Sequence, residues 1–113
     1  MAKAKRPFKN LIARRDLAVE GSRSKVSVEI GRPFEDDRCY TCQIRMTSGK
    51  KVIQREIHGV DAFQSLELAL KMIPTFLRHT EQLPLGRMYA FEKGDDMGFP
   101  ETNWPKYPGD EAR

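Results

Sequence analysis

Residues 59–80 read GVDAFQSLELALKMIPTFLRHT, and this stretch decides the fold. Phe63, Leu66, Leu70, Ile73 and Leu77 recur at three- and four-residue spacing, and Ala62 and Ala69 widen the stripe. That period predicts an amphipathic helix over 61–80 with one apolar face. Asp61 is a good N-cap, and Gln64, three residues on, resembles the second half of a capping box. Pro74 has no backbone N–H and its ring clashes with the carbonyl of Leu70. The helix is therefore expected to kink there or to end near Ile73, with 75–80 as a further turn. Leu68 and Met72 fall off the main stripe.

Upstream of Gly59 the apolar period changes to two. Val26, Val28 and Ile30 alternate with Ser27 and Glu29, the pattern of a half-buried strand over 25–30. Residues 39–46 put Tyr40, Cys42, Ile44 and Met46 on one side of a further strand. Residues 51–58 put Ile53 and Ile57 on one side and Val52 on the other, which suits a bulge or a two-sided strand. Residues 11–20 read as the first strand, with Leu11, Ala13, Leu17 and Val19 on one face and Arg15 as an exception. Gly21-Ser22-Arg23-Ser24 and Thr47-Ser48-Gly49-Lys50 are turns by composition, Gly31-Arg32-Pro33 is a break, and Glu35-Asp36-Asp37 is a polar connection. After the helix, 83–86 is a loop, 87–92 a fifth strand and 94–98 a turn. The expectation is a two-layer α+β domain in the order β-β-β-β-α-β. One long helix packs on one face of an antiparallel sheet of four or five strands. Its stripe meets Val26, Val28, Ile30 and Ile44, and nothing in the pattern says what covers the other face.

A chain of 113 residues fits one domain whose core needs neither metal nor disulfide. Its 39% hydrophobic content is too high for a wholly disordered chain, and no apolar run approaches the roughly 20 residues of a membrane helix. The net charge is +4, and residues 1–9 carry four basic residues, Lys3, Lys5, Arg6 and Lys9, and no acid. Setting them aside leaves 16 basic and 16 acidic residues in 10–113, so the folded part is formally neutral. Three regions follow: a flexible basic arm over 1–10, a single domain over 11–100, and an irregular, flexible tail over 101–113. The arm suits weak, salt-sensitive phosphate contacts through Lys3, Lys5, Arg6 and Lys9, with Arg14 and Arg15 assisting. A solvated terminus is the simpler account. Leu11-Ile12-Ala13 is cut off by Arg14-Arg15-Asp16, so no secretory apolar region follows the basic stretch and a cytoplasmic location is expected.

Cys39 and Cys42 have Cys-x-x-Cys spacing, but a redox motif needs the first thiol at a helix N-terminus and a zinc site needs two further ligands. On a strand, residues three apart point to opposite faces, which puts Cys42 inward and Cys39 outward. Glu56 and His58 share a strand face, where a carboxylate orients an imidazole, yet no nucleophile is evident beside them. Asp36-Asp37 and Asp95-Asp96 are turn acids. Gly94 and Gly98 lack a phosphate-loop signature, and Ser22 and Ser24 belong to a turn. No catalytic residue, metal ligand or cofactor is assigned. Tyr89, Phe91, Phe99, Trp104 and Tyr107 crowd the C-terminal part. Phe99, Trp104 and Tyr107 are the candidate partner contacts, since exposed aromatics anchor interfaces.

Several elements form a combined pattern. Ile12-Ala13-Arg14-Arg15 opens the first strand and Gly31-Arg32-Pro33-Phe34 follows the second. Gly59-Val60-Asp61, Gln64-Ser65-Leu66 and Ala69-Leu70 build the helix start, and Asp96-Met97-Gly98-Phe99-Pro100 closes the domain. Over residues 11–100 this resembles a family of small bacterial proteins known only as a domain of unknown function. The resemblance implies a compact bacterial α+β domain, often carried alone, and brings no catalytic residues with it. Pro74 and the cysteine pair are not part of that pattern. The expected function is that of a small non-catalytic interaction protein with an unidentified protein partner, acting through a surface patch or sheet edge. An immunity- or antitoxin-like binder is one version of it, by analogy. Nucleic-acid association through the arm is the alternative, and an enzyme using Glu56 and His58 is a third reading. No cofactor and no membrane attachment are expected, and the oligomeric state is left open.

Overall fold

The computed structural model describes residues 6–84, 86–90 and 97–100. The elements run β1 (Leu11–Val19), β2 (Lys25–Gly31), β3 (Phe34–Asp36), β4 (Cys39–Ser48), β5 (Lys51–Gly59), α1 (Ala62–His79) and β6 (Met88–Tyr89). They form one antiparallel sheet of six strands with a single helix against it, an α+β fold. The expected four or five strands become six because β3, read as a connection, pairs with β4. The final strand is described at Met88–Tyr89, paired with β1, and residues 91 and 92 of the expected strand lie outside the described residues.

Strand β4 is the spine. Along one edge it pairs with the whole of β5, from Tyr40↔Gly59 to Ser48↔Lys51. Along the other edge it pairs with β2 through Ile30↔Ile44 and with β3 through Phe34↔Thr41. The register moves by one residue between those two pairings, so Gly31-Arg32-Pro33 carries an extra residue, as a bulge does. Pro33 has no amide hydrogen to offer a ladder, which suits it to this position. The β4–β5 hairpin closes through Gly49-Lys50. Gly49 adopts φ +59 at the first loop position, the sign a type II′ turn requires.

Opposed residues share a face, so the register sorts the side chains into two sets. The inner face carries Leu17, Val19, Val26, Val28, Ile30, Cys42, Ile44, Met46 and Ile53, all buried. Helix α1 covers it over β4 and β5. Asp61 caps α1 as expected by accepting from the Gln64 N–H at 2.8 Å, and the Gln64 side chain accepts at 2.7 Å from the N–H of Val60, one residue before the N–H a capping box uses.

The buried line of the helix differs from the expected stripe. It runs through Ser65, Ala69, Ile73, Pro74 and Leu77, while Phe63 stands 84% exposed and Leu66 and Leu70 are half-buried. The cause is the approach at Gly59, where a Cβ would lie 2.5 Å from the Ser65 backbone nitrogen. Only small residues fit at so close a crossing, so Ser65 and Ala69 face the sheet and Phe63 is turned away. Ser65 stays satisfied by donating to the Ala62 carbonyl at 3.0 Å. Pro74 does not end the helix, which runs on to His79. The proline ring is itself buried, and Thr80 holds the last turn by donating from N–H and hydroxyl to the Phe76 carbonyl. Burial of Ile73, Pro74 and Leu77 outweighs the lost backbone bond.

Three substitutions separate these roles in urea denaturation followed by circular dichroism. Gly59→Ala is expected to cost about 2 kcal/mol through overpacking. Ile73→Ala is expected to cost about 3 kcal/mol. Phe63→Ala, at an exposed position, is expected to change stability by less than about 0.5 kcal/mol.

Candidate functional site

Two surfaces bring functional groups together, and they lie on opposite faces of the sheet. The outer face is polar. Register places Thr41, Gln43 and Arg45 of β4 beside Gln54, Glu56 and His58 of β5 and Glu29 of β2. Thr41, Gln43 and Glu29 are nonetheless buried. Residues 6–9, which belong to no strand, lie against this face. Gln54 donates to the Arg6 carbonyl at 2.7 Å. Gln43 donates to the Pro7 carbonyl at 3.1 Å and accepts from the Lys9 N–H at 3.3 Å. The Arg6 guanidinium meets Glu56 through Nε at 3.0 Å and Nη2 at 2.5 Å, and Asp36 through Nη1 at 2.7 Å. Phe8 lies under the Arg45 guanidinium, 4.4 Å from the ring centre, and Glu29 holds Arg45 at 2.8 Å. Arg6 and Lys9 both sit over the Phe34 ring.

The basic residues proposed for phosphate contact are thus differently placed. Lys3 and Lys5 lie outside the described residues. Arg6 is committed to two carboxylates and Lys9 to an aromatic ring, so the described part of the arm stands against the sheet. No sequence signal pointed to this, because the partners lie 30 and 50 residues away. Asp36, read as a turn acid, is half of the fork. Glu56 pairs with Arg6, and His58 Nδ1 lies 2.9 Å from the Thr41 hydroxyl and 3.8 Å from Cys39 Sγ. Cys42 is fully buried on the other face, and burial pushes its thiol up to about 11. Both cysteines are free, with Cys42 inward and Cys39 outward as the strand period requires. Among the described residues, no group of three or more His, Cys, Asp or Glu side chains is arranged to hold a metal ion.

The second surface is a groove of about 280 Å³ between α1 and the β1–β2 hairpin. Helix α1 lies over β4 and β5, and the groove runs beside it along β1 and β2. Ala13, Val28, Ile30, Leu70 and Ile73 line the groove, and Phe99 and Pro100 form its wall. Arg15 explains its exceptional place in the strand pattern here. It points to the inner face, donates to the carbonyls of Met97 and Gly98 at 3.2 and 2.7 Å, and stacks on Phe99 at 4.9 Å. Gly98 suits its place through its φ of +77, and a Cβ there would push aside the end of the Arg15 side chain, 2.6 Å away. Of the candidate partner contacts, Phe99 is therefore half-buried on the groove wall, while Trp104 and Tyr107 lie outside the described residues.

The architecture defines a small antiparallel α+β domain with one helix, a groove beside that helix and a strapped polar face. Residues 13–101 match the family described as Domain of unknown function (DUF6968), and the chain belongs to that family. The matched span begins at the strand that carries Arg15 and ends just after the Gly98-Phe99-Pro100 segment it clasps. No curated protein and no solved structure is significantly similar to the chain. Among the described residues, no helix is long and apolar enough to cross a membrane.

The fork has a defined pH response. The Arg6 guanidinium, by hydrogen bonding and charge, holds the Asp36 carboxyl below its ordinary range. It does the same to Glu56, with Gln43 assisting. Depressed folded values mean that the fork holds residues 6–9 fully above the ordinary carboxylate pKa of about 4. That hold is lost as pH falls through the depressed values. The Phe8 ring resonances are expected to keep their folded shifts from neutral pH down to about 4 and then to move toward random-coil values. In Arg6→Ala this transition should be absent.

Proposed function

We propose that the protein is a non-catalytic binding module whose docking point is the groove between α1 and the β1–β2 hairpin. It takes an apolar side chain presented by a partner protein. The observation that carries this reading is the lining: Ala13, Leu70 and Phe99 leave the mouth of a concave apolar groove open to solvent, over a buried floor of Val28, Ile30 and Ile73. Such a surface releases water when an apolar group enters, at about 25 cal/mol per Å² buried. The Arg15 clasp keeps Phe99 in one place, so the wall is preorganised and little ordering cost remains. A bacterial cytoplasmic setting is part of the same proposal, supported by the two free thiols, which suit a reducing compartment.

Photocrosslinking tests it. With a benzophenone amino acid at position 100, exposed on the groove wall, a discrete protein adduct is expected in living cells. Ala13→Trp, which fills the groove, should abolish that adduct while the circular dichroism spectrum stays unchanged. The same crosslinker at position 63, outside the groove, serves as the control. An adduct from position 100 that survives Ala13→Trp, or none at all, would remove the groove as the docking point.

A further inference from the structure

We propose that the polar face of the sheet is itself a docking site for an extended segment of another protein. That segment carries an arginine and, two residues on, an aromatic ring, and Arg6–Lys9 fills the site in cis.

The contacts have the form of peptide recognition. Three of them read only backbone: Gln54 on the Arg6 carbonyl, Gln43 on the Pro7 carbonyl, and Gln43 again on the Lys9 N–H. Two others read side chains. Glu56 and Asp36 together take one guanidinium, with Glu56 engaged through two nitrogens, the geometry that distinguishes arginine from lysine. Arg45 presents its flat face to Phe8. Most of the receiving groups are fixed by contacts of their own. Glu29 anchors Arg45, the Thr41 hydroxyl reaches Asp36 at 3.4 Å, and Gln43 reaches Glu56 at 3.4 Å.

The occupant is separable from the fold. Residues 6–9 pair with no strand, and they contribute nothing to the buried apolar core on the inner face. Asn10 follows them in the left-handed region at φ +59, and its carbonyl accepts from the Arg32 N–H at 2.8 Å. The chain is pinned there, so residues 6–9 can lift away without disturbing β1. A segment in trans competes with the cis one, and its apparent affinity falls in proportion to the small open fraction.

The test uses the full chain carrying Arg6→Ala and Phe8→Ala, with a fluorescein-labelled Arg-Pro-Phe-Lys-Asn peptide as probe and anisotropy as readout. The double variant is expected to bind the peptide saturably and the wild-type chain at least about tenfold more weakly, since its site is filled. Adding Glu56→Gln should weaken binding about tenfold, as loss of a bidentate charged partner does. Equal binding of a peptide with alanine in place of arginine would overturn the proposal, as would no binding to the folded double variant. A second measurement needs no destabilised variant. With 4-fluorophenylalanine at position 8 of the otherwise wild-type chain, millimolar peptide, the order of the effective concentration in cis, should shift the fluorine signal toward its random-coil position. An unmoved signal counts against the site. A wild-type dimer in light scattering that Arg6→Ala abolishes would assign the site to a second copy instead, and would overturn the partner named here.

Discussion

A helix lined with leucines stands well off a sheet, because each side chain needs room beneath the axis. Where Ser65 and Ala69 replace them, the backbone of α1 comes down onto Gly59 until a single added methyl would meet the Ser65 nitrogen. This close crossing sets the angle and position of the helix. It commits α1 to β4 and β5, turns Phe63 out to solvent and leaves a groove between the helix and the β1–β2 hairpin. The groove is thus a consequence of where the helix had to sit. The Arg15 clasp on Gly98 and Phe99 then gives that gap a fixed wall.

The two faces of the sheet solve different problems. The inner one buries aliphatic side chains in the ordinary way. The outer one buries Thr41, Gln43 and Glu29, groups that are costly to remove from water unless every one finds a partner. Among the described residues no buried side-chain nitrogen or oxygen lacks one. Much of that satisfaction comes from Arg6–Lys9: its carbonyls and N–H serve the glutamines, and its guanidinium serves the carboxylates. A short basic run thereby acts as a cover matched to the polarity below it.

Much of this was legible in the sequence, and the limits have physical causes. The alternation of Val26, Val28 and Ile30 and the 3.6-residue period after Asp61 are local signals, and they placed β2 and α1 well. The Asp61 and Gln64 cap is local too. Phe63 was misplaced because periodicity marks an apolar stripe but not which line of it makes the closest approach. That is decided by Gly59, on another element. Arg15 looked anomalous because its partners, Met97, Gly98 and Phe99, lie more than 80 residues away. The outer-face site was illegible for the same reason. Arg6, Asp36, Gln43 and Glu56 are individually ordinary, and only the register of β3, β4 and β5 assembles them.

The offset between β2 and β3 has a consequence for how this domain can vary. In β2 the even-numbered residues point inward, and after Gly31-Arg32-Pro33 the even-numbered Phe34 and Asp36 point outward. Deleting the extra residue there would leave one unbroken ladder on β4, because the two registers would then coincide, with Phe34 still opposite Thr41 and Asp36 still opposite Cys39. Asp36 therefore keeps its outward place through the loss of one residue at this crossover, whereas an added residue must be absorbed in a larger bulge or turns Asp36 toward the hydrophobic layer.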